Sequence, residues 1–234
     1  MTDTTNTTLA DLAVAYPAAA RVFYANRLDF CCGGRRPFAD ACREHGLDPA
    51  AILDEIRRAE ALAEPATRWE LAPLPQLVDH IVAYYHRRLR VALPHLVDMA
   101  RMVEARHGNK VSCPVGLTAL LEQVQQSTFD HLDKEEAILF PAIARGVTAI
   151  AGPVSMMELE HDHHKDDLRR IRTLTSQLTP PAAACSTWRA LYAGLQQFEQ
   201  ELMEHIHLEN NVLFRRALTE LDRLASDRLW VRGA

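Results

Sequence analysis

The chain has 234 residues, 48% of them hydrophobic, with 26 basic against 31 acidic side chains and a formal net charge of -5. That length allows one large or two small globular domains. The basic clusters, such as Arg87-Arg88 and Arg215-Arg216, are short and sit among acids, so no nucleic-acid surface is expected; no apolar run approaches the ~18 residues of a membrane span.

Gly and Pro are sparse and β-branched runs are few, so the composition favours helices. The N-terminus lacks a basic region, and Asp3 and Asp11 break its apolar character, so no signal peptide is expected. Five cysteines form an odd count without framework spacing. Reduced thiols in the cytoplasm are the simplest reading.

Residues 1–64 read as a small helical module. Thr8 caps a helix through about Tyr16, and Pro17 opens a second through about Arg27. Gly33-Gly34 make a turn and Pro37 starts a third helix. Asp48-Pro49 is an N-cap and first-turn pair for a helix through about Ala63. Residues 65–75, with Pro65, Pro73 and Pro75, form a linker. From Gln76 to about residue 225 the pattern changes to long amphipathic helices near 76–106, 115–145, 154–178 and 184–224. Breaks fall at His107-Gly108-Asn109, between Gly146 and Pro153, and at Thr179-Pro180-Pro181. Pro94 and Pro141 should kink or end their helices. Four long helices with short connections predict an all-α chain: a small N-terminal helical domain followed by an antiparallel four-helix bundle.

The bundle segment carries a repeat. The stretch His131 to Phe140 and the stretch His205 to Phe214 both read H-x-x-x-E-x-x-x-L-F. On a helix, positions i and i+4 share a face, so each copy aims an imidazole and a carboxylate at one point. His86 and His161 lie upstream of the two copies. The separation from His86 to His161 is 75 residues and from His131 to His205 is 74. This pattern fits two helical hairpins of similar length, each giving one His from its first helix and a His plus a Glu from its second. A single His on a helix is usually structural; the duplication of ligand order and spacing is what favours a metal.

His86, His131, His161 and His205 are therefore the candidate imidazole ligands, with Glu135 and Glu209 as the carboxylates. Four His and two Glu exceed the roughly four ligands of a tetrahedral zinc. They suit two iron or manganese ions bridged by the carboxylates. Two octahedral irons have about twelve positions; imidazoles, bridging carboxylates and an oxo or hydroxo bridge fill all but about one per iron. Glu158-Leu159-Glu160-His161 also reads E-x-x-H, the spacing of ferritin-like di-iron helices, but no second copy repeats at the right offset. The remaining histidines, His45, His80, His95, His107, His163, His164 and His207, read as solvated or as outer neighbours of the site. Glu136 and Glu160 adjoin ligands and read as a solvated face, with an outer hydrogen-bonding role as the alternative.

Asp29-Phe30-Cys31-Cys32-Gly33-Gly34 is the second constellation. Adjacent cysteines rarely bond to each other, and the glycines let the backbone bend and leave the thiols accessible. Arg35 and Arg36 would favour thiolate. Cys31 and Cys32 read equally as a thiol pair for redox exchange, iron or a partner's cluster, and as two small residues in a turn. Cys42, Cys113 and Cys185 are isolated and read as packing residues.

These residues together resemble the repair-of-iron-centres family, hemerythrin-like di-iron proteins that respond to nitric oxide stress. The motifs that carry the resemblance are Asp29 to Gly34, Tyr85-His86, His131 to Pro141, Glu160-His161-Asp162 and His205 to Phe214. The resemblance implies two non-haem irons, oxo- or hydroxo-bridged, held by His86, His131, Glu135, His161, His205 and Glu209. It implies nitric oxide or dioxygen as a small ligand, damaged iron–sulfur proteins as partners and room for a homodimer. Respiratory hemerythrins differ in using five His, a Glu and an Asp. Arg215 stands where the family pattern has Pro. The function expected is nitric oxide binding, cluster repair by iron donation, or both. A nitric oxide reductase, and a non-enzymatic sensor or iron store, are the alternatives, so enzymatic turnover stays open.

Overall fold

The computed structural model describes residues 7–63 and 66–220. All regular structure among them is helical; one isolated antiparallel bridge joins Thr8 and Pro37. No helix of the described residues is long and apolar enough to cross a membrane. Two compact units emerge from the backbone, one of residues 1–79, 143–151 and 203–234, the other of residues 80–142 and 152–202.

The first unit begins with α1 (Leu9–Ala15), α2 (Ala19–Ala25), α3 (Phe38–Glu44) and α4 (Pro49–Leu62). Thr8 caps α1 in a reciprocal box: its hydroxyl accepts from the Asp11 N–H, and the Asp11 carboxylate accepts from Thr8. Asp48 caps α4 with Pro49 in the first turn, as expected. The second helix stops short of its predicted end because Arg27 takes a left-handed φ of 58° and the Leu28 N–H turns back to the Phe23 carbonyl. Phe23 stacks obliquely on Phe30 and Phe38, and Leu9, Leu12, Leu28, Ile52 and Ile56 complete the core around them. The turn at Gly33-Gly34 is forced by close approach. The Leu9 and Ala10 N–H groups at the start of α1 donate to the Arg36 and Gly34 carbonyls. A Cβ on Gly34 would collide with the Phe30 carbonyl and the Ala10 methyl.

The second unit is built on α6 (Arg87–His107), α7 (Leu117–Lys134), α9 (Ala151–Leu174) and most of α10 (Ser186–Leu208). Short α5 (Leu74–His80) precedes α6 in the chain, and α8 (Phe140–Ala144) follows α7. Apolar residues recur at helical spacing along α6 (Leu89, Leu93, Leu96, Ala100, Val103) and are buried. Antiparallel order is visible in the cross-helix pairs. Arg90 meets Asp133 and Arg101 meets Glu122, so α6 runs against α7. Arg88 pairs with Glu201, while Gly194 lies under Leu96, so α6 also runs against α10. Arg172 forks onto the buried Glu199 carboxylate with two hydrogen bonds of 2.6 Å, tying α9 to α10.

Pro94 lies inside α6, within the predicted helix span. Two boundaries differ from the sequence reading. Helix α9 starts at Ala151, so Pro153 falls in its first turn, where a missing N–H costs little. It ends at Leu174 because Ser176, Gln177 and Leu178 all take left-handed φ values, of 50°, 61° and 60°. The predicted end of the last helix, 221–224, and of the bundle at 225 lie outside the described residues.

Gly34→Ala should cost about 1–3 kcal/mol through the forced collision at the turn. Gly152→Ala, whose Cβ meets nothing within 4 Å, should be neutral or stabilising by up to ~1 kcal/mol. Denaturant unfolding of the two variants beside the parent measures both.

Candidate metal centre

Three π-helical segments interrupt the long helices: Ile81–His86, Glu135–Leu139 and Glu209–Leu213. Each carries a candidate ligand. His86 closes the first, Glu135 opens the second and Glu209 opens the third. A π turn holds an extra residue, which re-aims the side chains on either side of it, and such turns concentrate at functional sites. Nothing in the residue pattern distinguishes them from α-helix, so the sequence reading missed all three.

All six candidate ligands come together in two overlapping groups. Ligand atoms of His86, Glu135, His205 and Glu209 lie within 4.8 Å of one another, as do those of His131, Glu135, His161 and Glu209. Both carboxylates belong to both groups. All six side chains are at most 2% exposed, and Glu135, His161 and Glu209 are fully buried. His86 Nε2 is 3.5 Å and His131 Nε2 3.4 Å from the Glu135 carboxylate; His205 Nε2 is 2.8 Å from Glu209 Oε1. The Nε2 atoms of His131 and His161 face each other at 3.0 Å. Neither Glu135 oxygen receives a hydrogen bond. A buried carboxylate without hydrogen bonds is costly unless a cation balances it. Glu135 and Glu209, both fully buried and ringed by imidazole nitrogens, form a donor set that can hold metal.

A second ring of charges holds the imidazoles. His86 Nδ1 lies 2.9 Å from Glu136 Oε1, which also accepts from Arg90. His131 Nδ1 lies 2.9 Å from Glu160 Oε2, whose other oxygen accepts from Lys134. Burial pushes both carboxyls up, but these hydrogen bonds outweigh it and hold Glu136 and Glu160 below the ordinary range. The reading of both as a solvated face is thus corrected: each faces outward enough to meet a cation and inward enough to fix the tautomer and plane of a candidate ligand.

Three histidines assigned to solvent or to the outer site are buried: His107, His164 and His207. The His164 ring stands edge-on to His131, with centroids 5.1 Å apart. Thr128, three residues before His131, is fully buried and its hydroxyl makes no hydrogen bond. The helical spacing of Val124, Thr128 and His131 places it on the ligand face, a signal present in the sequence. His45, His95 and His163 are exposed, as expected.

The thiol loop departs most from expectation. The Asp29 Oδ1 accepts from the Cys32 and Gly33 N–H groups and lies 3.4 Å from Cys31 Sγ. Cys31 is buried, and only Cys32 is partly open. The neighbouring Cys32 thiol, burial and the Asp29 carboxylate together raise the Cys31 pKa well above the ordinary range. The expectation that Arg35 and Arg36 make it a thiolate therefore fails. The two sulfurs are 4.0 Å apart and not bonded. The Phe30 carbonyl meets His207 Nδ1 at 3.3 Å, and Asn211 donates to the Phe30 and Cys31 carbonyls at 3.3 and 3.1 Å. Burial drives the His207 pKa down to about 4, against a smaller upward pull from the Phe30 carbonyl, so the ring is neutral. Asn211 shares the π segment of Glu209, so the loop is anchored on the turn that carries a candidate ligand. Asn211→Leu should cost about 1–3 kcal/mol by orphaning buried carbonyls and should raise alkylation of Cys31, read by peptide mass spectrometry against unfolding controls.

Comparison with known proteins agrees with this geometry. Residues 77–217 match the Hemerythrin HHE cation binding domain, and residues 5–60 match a domain of unknown function, DUF542. The chain is 48% identical over 213 residues to the iron-sulfur cluster repair protein YtfE of Musicola paradisiaca (strain Ech703), covering 90% of this chain and 95% of that one. It is 44% identical over 217 residues to proteins of the same name from Yersinia pseudotuberculosis serotype IB (strain PB1/+) and Yersinia pestis (strain Pestoides F), covering 92% of this chain and 98% of each. With its N-terminal module, its HHE bundle and these relatives over nearly its whole length, the chain belongs to the hemerythrin-like repair-of-iron-centres family.

Proposed function

We propose that the chain is a cytoplasmic non-haem di-iron protein of the nitric oxide stress response that binds nitric oxide, returns iron to damaged iron–sulfur clusters, or does both. The observation that carries the reading is the overlap of two four-residue donor groups on Glu135 and Glu209. That overlap is what bridging carboxylates require. In this assignment His86 and His205 would hold one iron and His131 and His161 the other, with Glu135 and Glu209 common to both groups. When bound, a ferrous pair with open coordination positions supplies affinity for nitric oxide or dioxygen. Glu136 and Glu160 hold the His86 and His131 rings with Nε2 inward. The relatives' name, iron-sulfur cluster repair protein, supports the repair half of the reading.

The proposed modules are residues 1–64 and 76–225, joined by 65–75. All six ligands lie in the second. Cys31 and Cys32 lie in the first and would serve delivery or partner contact. Of these two thiols the partly open Cys32 is the better placed to meet a partner, and the buried Cys31 to hold a proton.

Glu135→Ala and Glu209→Ala should abolish iron retention. Glu136→Ala and Glu160→Ala should keep the iron but weaken its affinity by about 10–100-fold. Metal analysis after dialysis against a chelator ranks the four; iron lost only in the Glu136 variant would show that the ligand face is wrong. A fragment beginning at Pro75 should still hold about two irons and bind nitric oxide, but should melt earlier than the whole chain. Its His207 and Asn211 lose their carbonyl partners on Phe30 and Cys31. Anaerobic titration of the reduced protein with nitric oxide, followed by iron-nitrosyl spectra and a nitrous oxide assay, tests the function itself. Nitrosyl formation without nitrous oxide marks a binding and repair protein. Catalytic nitrous oxide production marks a reductase, and no nitrosyl at all excludes the nitric oxide reading.

A further inference from the structure

Cys185, which the sequence leaves as a packing residue, stands in a different setting. It immediately precedes α10, and its carbonyl accepts the Arg189 N–H at 3.0 Å, so it occupies the cap of a 23-residue helix. Its Sγ lies 3.3 Å from His107 Nε2. The His107 ring is 8% exposed and packs on the fully buried Trp188, with centroids 5.2 Å apart. Cys185 itself is only partly buried. The pair lies in the second unit. His107 closes α6, 21 residues beyond His86, so it sits about 30 Å along that helix from the candidate metal centre.

We propose that Cys185 is a reactive thiol and a modification site for soft electrophiles and hydroperoxides, with His107 as its base. A cysteine with an imidazole nitrogen in hydrogen-bond reach is the minimal arrangement of an activated nucleophile. Burial, with Lys110 and Arg106 nearby, holds the His107 pKa below its ordinary value; the base role rests on the 3.3 Å approach of its Nε2 to the sulfur. Cys113, Glu104 and Tyr192 are further titratable groups at this end of the bundle, and Arg189 lies one turn along α10 from Cys185. Cys42 and Cys113 make the contrast: both are buried, and burial raises their thiols.

With an alkyl halide, the carbon–sulfur bond forms as the carbon–halogen bond breaks; halide leaves, and the thiol proton passes to Nε2 and then to water. With a hydroperoxide, sulfur bonds to the terminal oxygen as the O–O bond breaks. The thiol is oxidised to sulfenic acid, and the peroxide is reduced to alcohol or water, which carries away the thiol proton. An added thiol reductant restores the cysteine.

The test is a time course of the full-length protein with limiting iodoacetamide at pH 7, read peptide by peptide by mass spectrometry. Cys185 should label at least ~10-fold faster than Cys42 and Cys113, and faster than it does itself in the guanidinium-unfolded chain. His107→Gln should slow Cys185 roughly fivefold or more, with labelling of Cys32 unchanged. Hydrogen peroxide followed by a dimedone-type probe should mark Cys185 as sulfenic acid. Labelling no faster in the folded than in the unfolded chain would overturn the proposal, and so would a His107→Gln rate equal to the parent's. Absence of the dimedone adduct would overturn its hydroperoxide step. If His107→Gln does not fold, the comparison of folded and unfolded parent decides alone.

Discussion

Two fully buried carboxylates set the terms for the rest of this structure. Glu135 and Glu209 are fully buried within helical segments, and neither oxygen of Glu135 is hydrogen-bonded. Such groups destabilise a core unless positive charge meets them there. The ring of four imidazoles does not supply that charge while neutral; it supplies further lone pairs. The donor set is therefore a fold feature that makes sense only with a cation in place. The π segments that begin at Glu135 and Glu209 are the local distortions that aim them inward.

Outside the centre, the charges are graded. Glu136 and Glu160 each connect an inward imidazole to an outward cation, Arg90 or Lys134. This layering fixes ring orientation and leaves the inward Nε2 atoms of His86 and His131 facing the donor cluster. The thiol loop is held by the same economy of partners. Asp29 collects the N–H groups of the Cys32-Gly33 turn, and Asn211 collects the carbonyls of Phe30 and Cys31. The H-x-x-L-E-N-N segment thus has two tasks: His205 and Glu209 face the donor cluster, and His207 and Asn211 face the loop.

Much of this was legible in the sequence, for identifiable reasons. The caps at Thr8 and Asp48 are local chemistry and were placed correctly. The convergence of the six buried His and Glu residues is legible because the duplication repeats their order and spacing, and a repeat survives ignorance of the fold. What failed depended on contacts distant in sequence. The pairing of Glu136 with His86 spans 50 residues, and that of His107 with Cys185 spans 78. No local pattern announces either. At Cys31 the neighbouring Cys32 thiol, burial and the Asp29 carboxylate outweigh the flanking arginines, and only the arginines and Asp29 are plain in the local sequence. The left-handed run at Ser176 to Leu178 was missed because it contains no glycine.

The most direct test is the metal itself. Protein loaded anaerobically with iron-57 and then oxidised should contain about two irons per chain and give a Mössbauer spectrum of an antiferromagnetically coupled ferric pair. A single tightly bound zinc, or one isolated paramagnetic iron that resists a second equivalent, would contradict the bridging role assigned to Glu135 and Glu209.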